Sequence, residues 1–377
     1  MRLLAPILAA MSLCLTACNG GSGATASQPD PGQQAQGGSA PVQPVPQAAQ
    51  PVPDGVPPGT PEAAPGPAPS LSPVQSNNPA DIPTENVVWA LSADGNSVEA
   101  IQRPKGQIAY HLELNRPVKQ VVKTAGALWI VARDGTLSKF DFNTGDLVEL
   151  FTIEGDVGPI AVSAGHVWVV HKIVESPRGS KRPEILVLDS VSGSLETRIP
   201  LGDIADYIGA IEPVGNSVFV LLNDHFGLYR IRTETLQASK VNLGLPEGYG
   251  LGGLTSVGDT LWVLNRFSSK LVSLNTNTLQ VIASGEVPQD VTIDFAASGS
   301  SVFVISQYGR SVLKLDQHGV LIREMQFEDT PRAIAEVSGQ IWVSLSNRVV
   351  VIDPRTGSVL KSFGHVAVQE FAGSRSE

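Results

Sequence analysis

Four arginines recur at one place in a repeating pattern. Arg133, Arg266, Arg310 and Arg348 follow short apolar stretches containing Trp or Phe, in the phrases ARDG, LNRF, QYGR and SNRV. A guanidinium offers a planar fork of N–H donors, so several on one surface can hold carboxylates or other anions in a fixed geometry. Tyr249 and Tyr308, with Tyr207 and Asp290, stand in the loops expected beside them and add stacking and hydrogen bonding. Such a face could grip an acidic peptide segment, a glycan or an anionic polymer. A second run of positive charge, Lys172, Arg178, Lys181 and Arg182, falls in an insertion over 171–184. Long loops with their own composition often carry function. The plainer reading is also open: solvated loop tips, each arginine paired with a nearby Asp or Glu.

Other chemistry is poorly served. The six histidines, at 111, 166, 171, 225, 318 and 365, are scattered without a recurring acidic partner. No GxSxG, HExxH or phosphate-binding loop is present, and Gly248-Tyr249-Gly250 precedes no helix that could cradle a phosphate. Both cysteines, Cys14 and Cys18, lie in the first 18 residues, which leaves the remainder without a disulfide, a thiol nucleophile or a Cys-based metal site. No cofactor, metal ligand set or catalytic residue is therefore predicted. The net charge of −10 disfavours nucleic acid as a partner, since phosphate binding needs excess positive charge.

The elements that must position the arginines are visible as a period. Trp89, Trp129, Trp168, Phe219, Trp262, Phe303 and Trp342 are spaced by 40, 39, 51, 43, 41 and 39 residues, and every tryptophan of the chain is among them. Each sits in a strand-like phrase such as ALWIVA, HVWVV or SVFVI. A small-residue strand ending in Gly precedes it, for example IAVSAG or LGGLTSVG. A third strand follows and closes on Asp or Asn, as in ILVLD and VVVID. After a turn such as Asn143-Thr144-Gly145 comes a more polar fourth strand. Four short strands at a period near 40 predict an all-β fold, a seven-bladed β-propeller with the aromatic packing between blades. The Asp or Asn should cap its turn through backbone amides. Blade one begins at its second strand, so a C-terminal strand over 367–373 is expected to supply the missing inner strand and close the ring, which removes exposed edges.

Three parts follow along the chain: a signal at 1–17, a lipidated Cys and linker at 18–85, and the propeller at 86–377. Residues 19–85 hold 16 of the 28 prolines and no Lys or Arg, a composition that cannot offset the entropy of ordering. As a coil such a tether spans about 45 Å. Met1 to Cys18, MRLLAPILAAMSLCLTAC, has one basic residue and a short apolar core. Its end, Leu15-Thr16-Ala17-Cys18, resembles the bacterial lipobox. That resemblance implies lipidation at Cys18, export, and a membrane partner through the anchor; Asn19 after it favours the outer membrane in a Gram-negative-type envelope. The blade phrase resembles the YVTN or surface-antigen type of propeller (YncE-like), with the streptogramin-lyase and NHL groups as relatives. That resemblance describes a fold more than a task; a rigid ring on a tether suits a non-enzymatic binding or scaffold protein of the cell envelope, with an envelope protein or glycan as ligand. The alternative it carries is a lyase or hydrolase with a divalent metal at the ring centre, although the acidic LWFTE-like phrase of the lyases is replaced here by LWIVAR, VWVVHK and LWVLNR.

Overall fold

The computed structural model describes residues 82–372 apart from 104, 175–180, 203–207, 223–226, 245–251, 266–267, 289–290, 307, 365 and 367. The signal, Cys18 and nearly all of the Pro-rich stretch lie outside the described residues.

Among the described residues, twenty-eight strands form seven antiparallel four-stranded sheets. Blade 1 holds β1 (Val87–Ser92), β2 (Ser97–Gln102) and β3 (Ile108–Glu113). Blade 2 holds β4 (Val118–Lys123), β5 (Ala127–Ala132), β6 (Thr136–Asp141) and β7 (Leu147–Thr152). Blade 3 holds β8 (Asp156–Ser163), β9 (His166–Val174), β10 (Lys181–Asp189) and β11 (Leu195–Pro200). Blade 4 holds β12 (Ile208–Val214), β13 (Ser217–Leu222), β14 (Gly227–Arg232) and β15 (Ala238–Val241). Blade 5 holds β16 (Gly252–Val257), β17 (Thr260–Asn265), β18 (Lys270–Asn275) and β19 (Val281–Glu286). Blade 6 holds β20 (Val291–Ser298), β21 (Ser301–Ser306), β22 (Ser311–Leu315) and β23 (Leu321–Gln326). Blade 7 holds β24 (Ala333–Val337), β25 (Gln340–Ser344), β26 (Arg348–Ile352) and β27 (Val359–Gly364).

The ring closes as the sequence predicts. β28 (Val368–Phe371) joins β1 of blade 1, with Phe371 opposite Ala90 and Glu370 opposite Leu91. The inner strands are then neighbours all the way round, β28 beside both β24 and β4. Without β28 the edge of β1, whose six residues are all buried, would be left open.

The core consists of seven apolar wedges between neighbouring blades, each holding one of the seven aromatics. Trp89, for instance, stacks on Phe142 of blade 2 at 5.5 Å between ring centres and meets Phe140 edge-on. An aromatic on the second strand is long enough to cross to the next blade, which explains why the period shows most clearly there.

Turns follow local chemistry. Ala164-Gly165 and Ser338-Gly339 both take positive φ, the two-residue geometry that suits the right-handed twist of paired strands. At the ends of third strands the predicted caps are present. Asp141 Oδ1 accepts from the Asn143 N–H at 2.8 Å, Asn275 Oδ1 from Thr278 at 2.9 Å and Asp353 Oδ1 from Arg355 at 2.9 Å. The Ser192 N–H on Asp189 and the Arg355 N–H on Asp353 hold these two carboxyls below the usual range.

The insertion is smaller than the sequence suggests. β9 and β10 extend it as a long hairpin, so Lys172, Lys181 and Arg182 belong to strands rather than to a loop tip. Lys172 and His171 are buried. The pairing runs unbroken from His166–Asp189 to Val174–Lys181, past the point where other blades turn.

Candidate functional site

The loops after second strands and after fourth strands share one end of the ring, where the predicted arginines stand. Arg133 is exposed, and among the described residues no ion pair or hydrogen bond engages its guanidinium. Its neighbour Asp134 is taken by a residue the sequence reading passed over: Arg116 reaches Asp134 at 2.8 Å and Glu149 at 2.7 Å. The Asp134 carboxyl is held low, by Thr136 hydrogen bonds first and Arg116 after them.

Arg310 and Arg348 converge on one loop. Arg310, at φ +51°, donates from Nη1 to the Glu328 carbonyl at 3.3 Å. Arg348 lies 3.8 Å from the Glu328 carboxylate and 3.7 Å from Asp329. Blades 6 and 7 thus place two arginines on the segment that joins them, while Arg133 stands apart on blade 2. Tyr308 beside Arg310 is 80% exposed. Arg178, Tyr207, Tyr249, Arg266 and Asp290 lie outside the described residues. Among the described residues the three arginines differ: Arg133 has no partner, Arg310 leans on a carbonyl and Arg348 faces two acids.

A second arrangement escaped the sequence reading. Register places Glu184 opposite His171 at the base of the long hairpin. His171 Nδ1 lies 2.9 Å from Glu184 Oε1, and its Nε2 lies 2.6 Å from the Glu154 carbonyl. Arg198 Nη1 donates to the same Glu184 oxygen at 2.5 Å. An open groove of about 680 Å³ runs past this network between blades 2 and 3, lined by Leu150, Leu195, Ser194, Arg198 and His171. Gly155, at φ +105°, lets the chain pass close to His171, where a Cβ would come within 3.0 Å of the ring. The only signal in the sequence was the length of the insertion.

Near the axis, Asp294 on β20 and Glu370 on β28 occupy the inner strands, and the Asp294 charge acts on Glu370. Asp294 accepts the Ile334 N–H of blade 7 at 3.0 Å. Gln120 makes the matching link from blade 2, its Oε1 accepting the Ile160 N–H at 2.7 Å. Burial pushes Asp294 up to about 7; burial first, and the Asp294 charge second, push Glu370 up to about 8. Among the described residues no group of three His, Cys, Asp or Glu side chains is placed to hold a metal ion.

No family model and no curated protein matches the chain. Solved structures do match in fold. BamB from Moraxella catarrhalis aligns with a TM-score of 0.52 and 18% identity over 75% of this chain and 89% of that one. The computationally designed Ika8 protein gives 0.53 and 17% over 75% and 86%. The dihydro-heme d1 dehydrogenase NirN, in complex with DHE, gives 0.55 and 12% over 78% and 66%. A designed protein and a dehydrogenase among such neighbours make the point physically: the likeness carries the fold and no activity.

Proposed function

We propose that this chain is a lipid-anchored propeller of the cell envelope that holds an acidic protein segment or an anionic glycan on its loop-bearing face, without catalysis. The observation that carries the reading is the contrast between the two ends of the ring. One end is made of short turns whose residues are dictated by backbone geometry, as at Ala164-Gly165 and Asp353 to Gly357. The other presents the exposed Arg133 and Tyr308 and the Arg310–Arg348 pair. Anchoring at Cys18 rests on the lipobox resemblance and on the composition of 19–85.

Two substitutions test it. Cys18→Ser should release the protein from membranes or block its processing. Replacing Arg133, Arg266, Arg310 and Arg348 together with Ala should abolish partner capture, measured by cross-linking and mass spectrometry in native membranes. Capture should also weaken with salt, because exposed charges are screened within about 10 Å at 0.1 M. Undiminished capture by a folded quadruple variant would place the partner elsewhere.

The enzymatic alternative has one observation in its favour, the carboxyls of Asp294 and Glu370 near the axis. It requires a Mg²⁺-dependent rise in melting temperature that Asp294→Asn and Glu370→Gln remove. The binding reading requires none.

A further inference from the structure

Every fourth strand is an outer edge, and most carry a β-bulge, an extra residue that bends the strand and re-aims a side chain. In blades 1, 3, 5, 6 and 7 the extra residue is the second of the strand: Ala109, Glu196, Ile282, Ile322 and Leu360. In blade 2 it comes later, at Leu150, and β15 of blade 4 pairs without one. Three consecutive blades therefore place a large aliphatic on the bulge, each preceded by another. Val281 and Ile282 are 42% and 47% exposed, Leu321 and Ile322 48% and 54%, Val359 and Leu360 51% and 48%. Blade 2, outside this run of three, also carries an aliphatic pair there, Leu147-Val148, but the same register reads Ile108-Ala109, Leu195-Glu196 and Ala238-Ser239 in blades 1, 3 and 4, so the fold does not require the pairs.

The three pairs belong to one continuous wall. The His318 carbonyl lies so close to Gly285 of β19 that a Cβ there would clash with it. Arg323 of β23 donates to the Thr356 carbonyl of the next blade, and Gly357 lies against Arg323 and Met325. Singly exposed aliphatics are ordinary, but a band across adjoining elements marks a contact surface.

Two features narrow the partner. A bulge spoils the regular row of backbone groups that an added strand would need, so contact runs through side chains and not through strand addition. Arg323, Arg355 and Lys361 stand among the aliphatics, in a chain whose net charge is −10. The carboxylates in the band are engaged locally: Asp316 accepts the His318 N–H at 2.8 Å, Asp353 the Arg355 N–H at 2.9 Å, and Glu324 accepts from Ser311 Oγ at 2.8 Å and Gln326 Nε2 at 2.7 Å. Aliphatics rimmed by Arg and Lys match the boundary between headgroups and acyl chains of an anionic membrane.

We propose that the outer wall of blades 5–7, through Ile282, Ile322, Leu360 and their preceding aliphatics, seats against an anionic bilayer surface. The band lies at the turn-bearing end of the strands, so the loop-bearing face is left turned away from the lipid. The proposal goes beyond the binding reading and takes from it only a membrane within reach.

The test uses the full chain with Cys14→Ser and Cys18→Ser, carrying one new cysteine and an environment-sensitive fluorophore. The probes are vesicles of phosphatidylcholine with about one-fifth phosphatidylglycerol and quencher-bearing acyl chains. A label at Ile322→Cys should be quenched about twofold or more, and less on phosphatidylcholine alone, while a label at Tyr308→Cys on the opposite end stays bright. With the label at Leu360→Cys, adding Ile282→Ser and Ile322→Ser should remove most of the quenching; both sites are exposed, so the fold should stand. Absent quenching at 322, equal quenching at 308, or undiminished quenching in the double Ser variant overturns the proposal. So does a protein partner held by the band while vesicles leave the label bright. The fourfold arginine variant separates the two readings: it should lose capture and keep quenching.

Discussion

The innermost and outermost strands of the same blades obey different rules. On the inner strands the residue paired with each aromatic is often small, as with Ala161, Thr255, Ala296 and Ala335. The residue before it is a large buried one: Ile160, Leu254, Phe295 and Ile334. Seven strands crowd around one axis, so one side chain must yield space while its neighbour fills the wedge between blades. The outer strands are mostly exposed; β23 and β27 each bury a single residue, Met325 and Phe363. Constraint at the centre leaves individuality to the rim, which is where the bulged aliphatics differ from blade to blade.

The largest effect that would sharpen this contrast comes from the closing strand. Ending the chain after Gly364 removes the burial of Val368, Phe371 and Ala372 and opens the β1 edge. Losing a buried Phe alone costs about 3–5 kcal/mol, so the melting midpoint should fall by about 10 °C or more in calorimetry. A midpoint unchanged to within about 2 °C would break the contrast. By comparison, Leu360→Ser on the outer wall should change stability by less than about 1 kcal/mol.

The next effect is one of pH. Asp294 and Glu370 titrate near 7 and 8 in the folded ring and near 4 when unfolded. A carboxyl raised by folding binds its proton more tightly in the native state. Its stabilising contribution is full below about pH 4 and is lost as pH rises through 7 to 8. Denaturant midpoints should therefore be lower at pH 9 than at pH 5, and Glu370→Gln should flatten the slope. The turn-capping carboxyls, such as Asp189 and Asp353, act with the opposite sign and in a separate window. Their contribution is present above about pH 4 and is lost on acidification. A wild-type midpoint that is level or rising between pH 5 and pH 9 would contradict the raised carboxyls of the axial pair.

The smallest effect concerns a single cap. Asp353→Ala removes the bonds to Arg355 and Thr356 and should lower the denaturant midpoint only slightly. A cost comparable to the truncation would mean that the turns, and not the inner strands, hold the ring.

Much of this architecture was legible in advance. The spacing of the seven aromatics, the Asp or Asn at third-strand ends, the Gly turns and the unused tail at 367–373 are local signals repeated with a period, so chance matches average out. Each depends on interactions within about one strand pair. Strand pairing beyond the usual turn in β9 and β10 was not legible, because nothing in HVWVVHKIV announces where a hairpin stops. Nor was the fate of the arginines: Arg348 meets Glu328 and Asp329, and Arg310 meets the Glu328 carbonyl, only because blades 6 and 7 adjoin. The sequence by itself determined the blade count, the strand order and the closure, since hydrogen-bonded turns and alternating burial are short-range physics. Tertiary structure alone decided which charges are spent, that Asp294 and Glu370 interact across 76 residues of chain, and that three bulged aliphatics share one wall. Those depend on through-space proximity between blades, which the periodic pattern does not encode.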